Sequence, residues 1–154
     1  MSENDVGLSG TYYKDMNYVE WSFPDNLPTD NVEISIAALN GLKLERVGYE
    51  RGILIIRAGG YRFGMYHDQD CCESVDLIDG LDDLLSIVGT KIVSARKETN
   101  SDLPVPDGEY EDTSYTWTFY IIQGEHSSAT LRWFGSSNGY YSESVTFDFV
   151  GLGE

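Results

Sequence analysis

The stretch ILIIRAGGYRFGMY, residues 53–66, decides the fold class of this chain. Its first half is rich in β-branched residues, which favours a central strand. Gly59-Gly60 follows, and two glycines between apolar runs are typical of a two-residue β-hairpin. After the turn, large apolar residues occupy every second position, as in a strand with one buried face. Together with the run that begins at Leu42, this pattern predicts three consecutive antiparallel strands, with a bulge or register change near Gly48.

A second group of strands is predicted further along the chain. Apolar and polar residues alternate in three segments, and Asn138-Gly139 is a strong signal for a tight hairpin between the last two. The predicted second meander consists of Tyr115–Ile122, Ala129–Phe134 and Tyr140–Val150. Weaker patterns predict strands at Ser74–Ile78 and Lys91–Glu98, a helical turn over Ile36–Asn40 and a mobile loop over Asn100–Ser114.

A short helix is expected between the two groups of strands. Acidic residues precede the apolar pair Leu84 and Leu85, and an Asp ahead of such a pattern is typical of a helix N-terminus. We therefore predict a helix near 81–87, ended by Gly89. The predicted fold is mainly β with a minor α part: a strongly curled antiparallel sheet or partial barrel of seven to eight strands, with one short helix.

Length and charge bound the domain organisation and the partners. The chain has 154 residues, enough for one buried core, and a formal net charge of −16. We divide it into an acidic, aromatic-rich N-terminal extension (1–35) that packs on the core and a single β-rich domain (36–154). Neutralising phosphate requires an excess of Lys and Arg, so neither direct nucleic-acid binding nor docking on an anionic membrane is expected. Because no secretory signal and no membrane-spanning run is recognisable, we expect a cytoplasmic protein.

The negative charge is concentrated in a few segments. Residues 63–90 contain seven acidic residues and no Lys or Arg, and residues 100–113 contain five acidic residues and no base. By contrast, Leu42–Arg62 contains five basic residues against two acidic ones. The acidity is therefore a local surface feature around a neutral to basic β core, and it favours a partner with a basic surface.

The segment HDQDCCE, His67–Glu73, gathers imidazole, thiol and carboxylate groups within seven residues. Zinc binds all three groups, and a Cys–His pair is typical of thiol enzymes. A structural zinc site needs a second pair of ligands, however, and the other histidine, His126, stands alone in a predicted turn. No catalytic signature surrounds these residues. We therefore expect no catalytic residue, metal ligand or cofactor, and keep a metal- or thiol-dependent protein that uses Cys71, Cys72 and His67 as an alternative.

The two cysteines are adjacent, at Cys71 and Cys72. Neighbouring residues of a strand point to opposite faces, so we expect two free thiols, one facing the core and one facing outward. A bond between them would close an eight-membered ring in a strained turn. A vicinal redox switch is kept as the alternative.

The segment Ser136–Tyr141 is interpreted first as a hairpin turn, and its serines, amide and tyrosines at a loop tip also fit a binding surface. With the cysteine-containing segment, they make up the candidate binding site. The candidate binding residues are His67, Asp70, Cys71, Cys72, Glu73, Asn138, Tyr140 and Tyr141.

Several segments together resemble a protein family. The segments that carry the resemblance are Tyr66–Val75, Asp79–Leu84, Val88–Gly89, Ala95–Glu98 and Ser137–Ser142. They are similar to a family of small uncharacterised proteins of bacteriophages and prophages with the pattern DCCE…GDL…LIG…A-x-E…SNGYY, over about residues 42–148. The chain departs from the pattern at Gly80-Leu81-Asp82, where the family has Gly-Asp-Leu. The resemblance implies a phage origin and no known activity.

Three functions are consistent with these observations. The first is a non-enzymatic, phage-type accessory protein in the host cytoplasm that binds a host or phage protein through an acidic surface, for example to inhibit a defence or nucleic-acid-binding protein. The alternative is a small-molecule or nucleotide-sequestering protein with a pocket near residues 67–73 and 138–141. Its anionic ligand would need converging cations, and the candidates are Arg57, Arg62, Arg96 and Arg132. The second alternative is the metal- or thiol-dependent protein; no oligomeric state is predicted.

Overall fold

A computed structural model describes residues 12–14, 32–105 and 114–152 of the chain. This part contains ten strands, one α-helix and one 3-10 helix. The strands are β1 (Tyr12–Lys14), β2 (Val32–Glu33), β3 (Leu44–Glu50), β4 (Ile53–Ala58), β5 (Tyr61–Tyr66), β6 (Ser74–Asp79), β7 (Ser94–Asn100), β8 (Ser114–Gln123), β9 (Ser128–Ser137) and β10 (Thr146–Leu152). The helices are α1 (Leu81–Ser86) and the 3-10 helix Ile36–Leu39, which confirms the predicted helical turn.

The described strands form two antiparallel sheets. The first sheet has the strand order β1-β3-β4-β5-β10-β2, and the second has the order β6-β9-β8-β7. A mainly β fold with one short α-helix is thereby confirmed. The strongly curled single sheet or partial barrel is not confirmed, because the strands divide between two sheets and neither sheet closes.

The first predicted meander is confirmed as β3, β4 and β5. Gly59 and Gly60 form its second turn with φ of 60° and 84°, values that L side chains rarely adopt. Ala58 and Tyr61 face each other across this turn, which sets the register of the hairpin. The register change lies between Leu44 and Arg46, earlier than predicted.

The second predicted meander is only partly correct. Strands β8 and β9 form the expected hairpin, but the third strand begins at Thr146 and joins the first sheet, where it pairs with β5 and β2. Asn138-Gly139 therefore does not join two paired strands. Residues 138–145, here called the crossing loop, instead carry the chain from one sheet to the other. The predicted strand Lys91–Glu98 begins later than expected, at Ser94.

The core lies between the inward faces of the two sheets and against α1. Trp133 and Tyr120 are its largest fully buried side chains, and Trp133 reaches the first sheet through an Nε1–H hydrogen bond to the sulfur of Met65, 3.2 Å away. Each fully buried large apolar side chain contributes about 1.5–3 kcal/mol. One shared core therefore holds both sheets together.

Helix α1 confirms the helix predicted near 81–87, but an Asp does not cap it. Gly80 is the N-cap residue, with φ of 105°, and no side chain caps the helix. Asp79 instead pairs with Arg132 on the neighbouring strand β9, at 2.8 Å. Leu84 and Leu85 are buried, as the apolar pattern requires.

Within the N-terminal extension (1–35), the structure describes two short strands. Tyr12–Lys14 pairs with β3, and Val32–Glu33 pairs with β10 at the opposite edge of the first sheet. The rest of the strand or hairpin predicted over 11–23 lies outside the described residues, as do residues 106–113 of the predicted mobile loop. The division at residue 35 stays a prediction. Within the described ranges, no helix has the length and hydrophobicity needed to cross a membrane.

Candidate functional site

Residues 67–73, here called the cysteine loop, connect β5 to β6 and fold around the carboxylate of Glu73. This side chain is fully buried. It accepts hydrogen bonds from the backbone N–H groups of Asp70, at 2.8 Å, and Cys71, at 2.9 Å. Its Oε2 atom also lies 2.7 Å from Nε2 of His67. A buried charge is tolerated only where hydrogen bonds and a partner replace water, and this loop supplies both.

The environment of Glu73 lowers the pKa of its carboxyl group to about 2. The largest cause is the hydrogen bond from His67, and the backbone N–H groups of Cys71 and Asp70 add to it. Desolvation acts in the opposite direction but is smaller than the sum of these bonds. Glu73 is therefore a structural anion, ionised throughout the neutral range.

The imidazole of His67 connects the cysteine loop to the crossing loop. Its side chain is 4% exposed, and Nδ1 lies 2.6 Å from the carbonyl oxygen of Ser144. Each ring nitrogen thus faces an oxygen acceptor. The ring can satisfy both acceptors at once when both nitrogens carry a proton.

Cys71 and Cys72 form a disulfide, so the expectation of two free thiols was wrong. The expectation that one cysteine faces the core was also wrong, because both residues are exposed. Both expectations placed the cysteines in an extended strand. The loop instead curls, because backbone N–H groups point at Glu73 before β6 begins. As long as the bond is intact, neither sulfur is a nucleophile or a metal ligand.

No metal-binding group was found in the cysteine loop. Across the described residues, no three or more His, Cys, Asp and Glu side chains are arranged to hold a metal ion. The loop contains a hydrogen-bonded buried carboxylate and a disulfide at its exposed tip.

The other three candidate residues lie in the crossing loop. Asn138 is exposed, and its Oδ1 accepts a hydrogen bond from the backbone N–H of Tyr140. Tyr140 is 82% exposed, and its ring packs edge-on against Tyr141, with the centroids 4.9 Å apart. A tyrosine so exposed contributes little to folding and is available for contact with a ligand or partner.

The cysteine loop and the crossing loop meet, but not through the predicted residues. They are joined by His67 and Ser144, and Ser74 and Ser136 pair at the adjoining ends of β6 and β9. Within the described ranges, no hydrogen bond, ion pair or ring contact joins Asn138, Tyr140 or Tyr141 to residues 67–73. Of the candidate binding residues, only His67 therefore contacts the other loop.

Sequence reasoning missed a second buried carboxylate, Glu143. It is 9% exposed, and its two oxygens accept hydrogen bonds from the hydroxyls of Thr116, at 2.8 Å, and Ser137, at 2.5 Å. A signal for it exists, because Glu143 is the one charged residue between Arg132 and Asp148. A lone carboxylate in so long an uncharged stretch is typical of a group with dedicated partners.

The predicted acidity is exposed along the chain from the cysteine loop to α1. We define the acidic surface as the exposed residues Asp68, Asp70, Asp76, Asp82 and Asp83. Asp76 lies on β6, which is an edge strand of the second sheet, and the last two lie in the first turn of α1.

The arginines considered for an anionic ligand do not converge on one site. Arg57 and Arg62 face each other across β4 and β5 in the first sheet. Arg96 and Arg132 lie on the second sheet, paired with Glu98 and Asp79.

An apolar cavity of about 420 Å³ opens on the outer side of the second sheet. Its walls include Trp117, Ile78 and Leu103. The guanidinium of Arg132 lies 5.1 Å from the centroid of the Trp117 ring, which suits a cation–π contact. Ile78 lies two residues after Asp76, so this cavity adjoins the acidic surface.

Comparison with known proteins identifies a family and no activity. No curated protein and no solved structure is significantly similar to the chain. A family model described as "Domain of unknown function (DUF7448)" matches residues 31–147, which include both the cysteine loop and the crossing loop. Because the match spans well over half of its length, the chain belongs to the DUF7448 family of domains of unknown function.

Proposed function

We propose that the chain is a non-enzymatic, phage-type accessory protein of the host cytoplasm, which binds a host or phage protein through the acidic surface. The observation that carries the proposal is the exposure of these five aspartates, together with Asp79, within residues 68–83, a stretch that contains no Lys or Arg. Support for the phage type comes from the Asp70–Glu73 and Ser137–Tyr141 segments, which resemble the pattern of a family of small bacteriophage and prophage proteins.

The chemistry of the partner follows from the charge. Asp68, Asp70, Asp76 and Asp83 form no ion pair with any Lys or Arg in the described part of the chain. Exposed carboxylates that lack an internal cation raise the local negative potential, which steers a positively charged surface towards them. The expected partner is therefore a protein with a basic surface, such as the cleft of a nucleic-acid-binding protein.

The neighbouring apolar cavity supports a protein partner rather than a small ion. Ile78 is 36% exposed and Leu103 is 41% exposed, beside the aromatic ring of Trp117. Protein interfaces commonly combine an apolar centre containing Trp or Arg with a charged rim. The cavity supplies such a centre, and the acidic surface supplies the rim.

Affinity capture from a lysate of the host bacterium, at low and high salt, tests the proposal. The variant carries Asp68→Asn, Asp76→Asn and Asp83→Asn, which remove three charges with little change in shape. We expect a partner that wild type captures at low salt, that high salt releases, and that the variant captures at least tenfold less.

The control removes the same number of charges from exposed positions elsewhere. It carries Glu98→Gln, Asp102→Asn and Glu125→Gln, and it should capture the partner as wild type does. If both variants captured equally little of the partner, the loss would be explained by net charge alone and not by the acidic surface. A partner retained by the acidic-surface variant, or no captured protein at all, would refute the proposal.

A further inference from the structure

A polar cleft of about 250 Å³ lies between the inward face of β7 and β8 and the crossing loop. Of the nine residues that line it, seven carry a hydroxyl group; the other two are Lys97 and Glu143. The cleft begins where the inward face of the second sheet changes from apolar residues to threonines. Tyr120 pairs with Leu131, whereas Thr118 pairs with Trp133 and Thr116 with Gly135.

Thr118 gives the cleft a hydroxyl at its buried end. The residue is 1% exposed and lines the cleft beside Thr116. A hydroxyl can donate one hydrogen bond and accept others, so it suits a ligand that carries hydroxyl groups of its own.

Glu143 gives the cleft a fixed acceptor. The hydroxyls of Thr116 and Ser137 each donate to one of its oxygens, which holds the carboxylate in one orientation. A carboxylate has about four lone-pair positions, so acceptor capacity remains on the side that lines the cleft.

Lys97 gives the cleft a fixed donor. Its ammonium group donates to the carbonyl oxygen of Val145 at 3.3 Å and lies 5.6 Å from the centroid of the Tyr120 ring. An ammonium group has three N–H donors, and the carbonyl uses one of them. The side chain is thus positioned while it keeps donors for a ligand.

We propose that this cleft binds a small, neutral, polyhydroxylated molecule of the size of a monosaccharide. Hydroxyl groups both donate and accept, so a wall made of them matches a ligand that does the same. The carboxylate of Glu143 and the net charge of −16 disfavour an anion. The volume lies below the roughly 300–1,000 Å³ of pockets for drug-sized ligands, which limits the ligand to one small ring. This site is separate from the acidic surface, and its failure would leave the protein-binding proposal intact.

Titration of the full chain, followed by the methyl NMR signals of its threonines, tests the site. The probes are D-glucose, D-galactose and myo-inositol at millimolar concentrations, with inorganic phosphate and citrate as the anionic arm. We expect saturable shifts of the methyl signals of Thr99, Thr116 and Thr118 with at least one neutral probe and none with the anions. A response to an anion alone would overturn the ligand class, and no response to any probe would overturn the site.

The variant Thr118→Val replaces the hydroxyl of Thr118 by a methyl group of similar size. Loss of one neutral hydrogen bond should weaken binding about twofold to tenfold. Thr130→Val, on the strand β9 and outside the cleft, is the matched control and should bind as wild type does. Lys97→Met, at an exposed position, gives a second test that does not depend on a core substitution. Wild-type affinity in both Thr118→Val and Lys97→Met would refute the proposal.

Discussion

The Nε2 atom of His67 lies 2.7 Å from Oε2 of Glu73, and neither side chain is appreciably exposed. This pair holds two loops in place. Glu73 gathers the backbone of the cysteine loop, while the other nitrogen of His67 contacts the carbonyl of Ser144 in the crossing loop. Removing either member leaves the other buried without its partner, which costs more than the pair contributes when it is intact.

Glu73→Gln tests this role directly. An amide cannot accept from His67 and two backbone N–H groups as well as a carboxylate does, because the amide has one oxygen. We expect the midpoint of thermal unfolding to fall by several degrees and the NMR signals of both loops to shift. Asp70→Asn is the control, since the hydrogen bond from residue 70 uses its backbone and its exposed side chain is not involved. Equal midpoints for the two variants would contradict the role of Glu73.

The same carboxylate predicts an acid-dependent loss of stability. The pKa of Glu73 is about 2 in the folded chain and near 4.5 when unperturbed. Its stabilising effect is therefore complete above pH 4.5. As the pH falls from 4.5 towards 2, the unfolded chain takes up a proton that the folded chain does not, so the free energy of unfolding decreases. Urea unfolding across this range should show a steeper decline for wild type than for Glu73→Gln. Parallel curves would show that Glu73 does not contribute to the acid sensitivity.

Tyr49 predicts a corresponding loss of stability at high pH. Burial raises the pKa of its phenol from 10 to about 12, the charge of Asp76 adds to the increase, and a hydrogen bond from the backbone of Leu77 to the phenol oxygen acts against it. The stabilisation is complete below pH 10 and is lost as the pH rises to 12, because the unfolded chain ionises first. Tyr49→Phe should lower the free energy of unfolding by about 1 kcal/mol at neutral pH. Between pH 10 and 12, the free energy of unfolding of this variant should decline less than that of wild type. The exposed Tyr140→Phe should follow the wild-type curve.

Reduction of the Cys71–Cys72 disulfide should change the loop and not the fold. Cross-linking adjacent residues removes little entropy from the unfolded chain, about 1 kcal/mol in the loop-closure estimate. Excess dithiothreitol should convert the disulfide into two thiols, itself becoming the cyclic disulfide, and should lower the unfolding midpoint by about 2–4 °C. Thiol titration and thermal unfolding measure both effects. In the double variant Cys71→Ser, Cys72→Ser, dithiothreitol should have no effect on the midpoint. Global unfolding on reduction would contradict the prediction.

Local patterns predicted the strands well because each depends on neighbouring residues. Gly59-Gly60 formed the predicted hairpin, since its geometry requires nothing outside the two strands. Asn138-Gly139 was different. Glu143 is buried against Thr116 and Ser137, which holds the chain across the inward face of the second sheet and away from hairpin pairing. Thr116 lies 27 residues from Glu143 along the chain, so no local pattern reports this contact.

The candidate site was predictable in part for the same reason. His67 and Glu73 were selected because their groups crowd into one short segment, and they do form its centre. The disulfide was not predicted because an extended backbone was expected, whereas the loop curls through backbone N–H groups that any residue supplies. Ser144 takes part only through its carbonyl oxygen, so its residue type gave no signal.

Alanine substitutions at two glycines on either side of α1 distinguish the cost of backbone strain from the cost of steric crowding. Gly80 and Gly89 have φ of 105° and 99°, so an alanine at either position would be strained by about 1–2 kcal/mol. A Cβ at Gly80 would also lie 1.9 Å from the carbonyl oxygen of Thr130, whereas a Cβ at Gly89 would meet nothing within 4 Å. Because a backbone atom cannot move aside cheaply, we expect Gly80→Ala to lose about 4 kcal/mol or more and Gly89→Ala only the strain. Urea unfolding of the two variants gives the comparison. Similar losses would mean that α1 can shift away from β9 to relieve the clash, which would contradict the expected extra loss at Gly80.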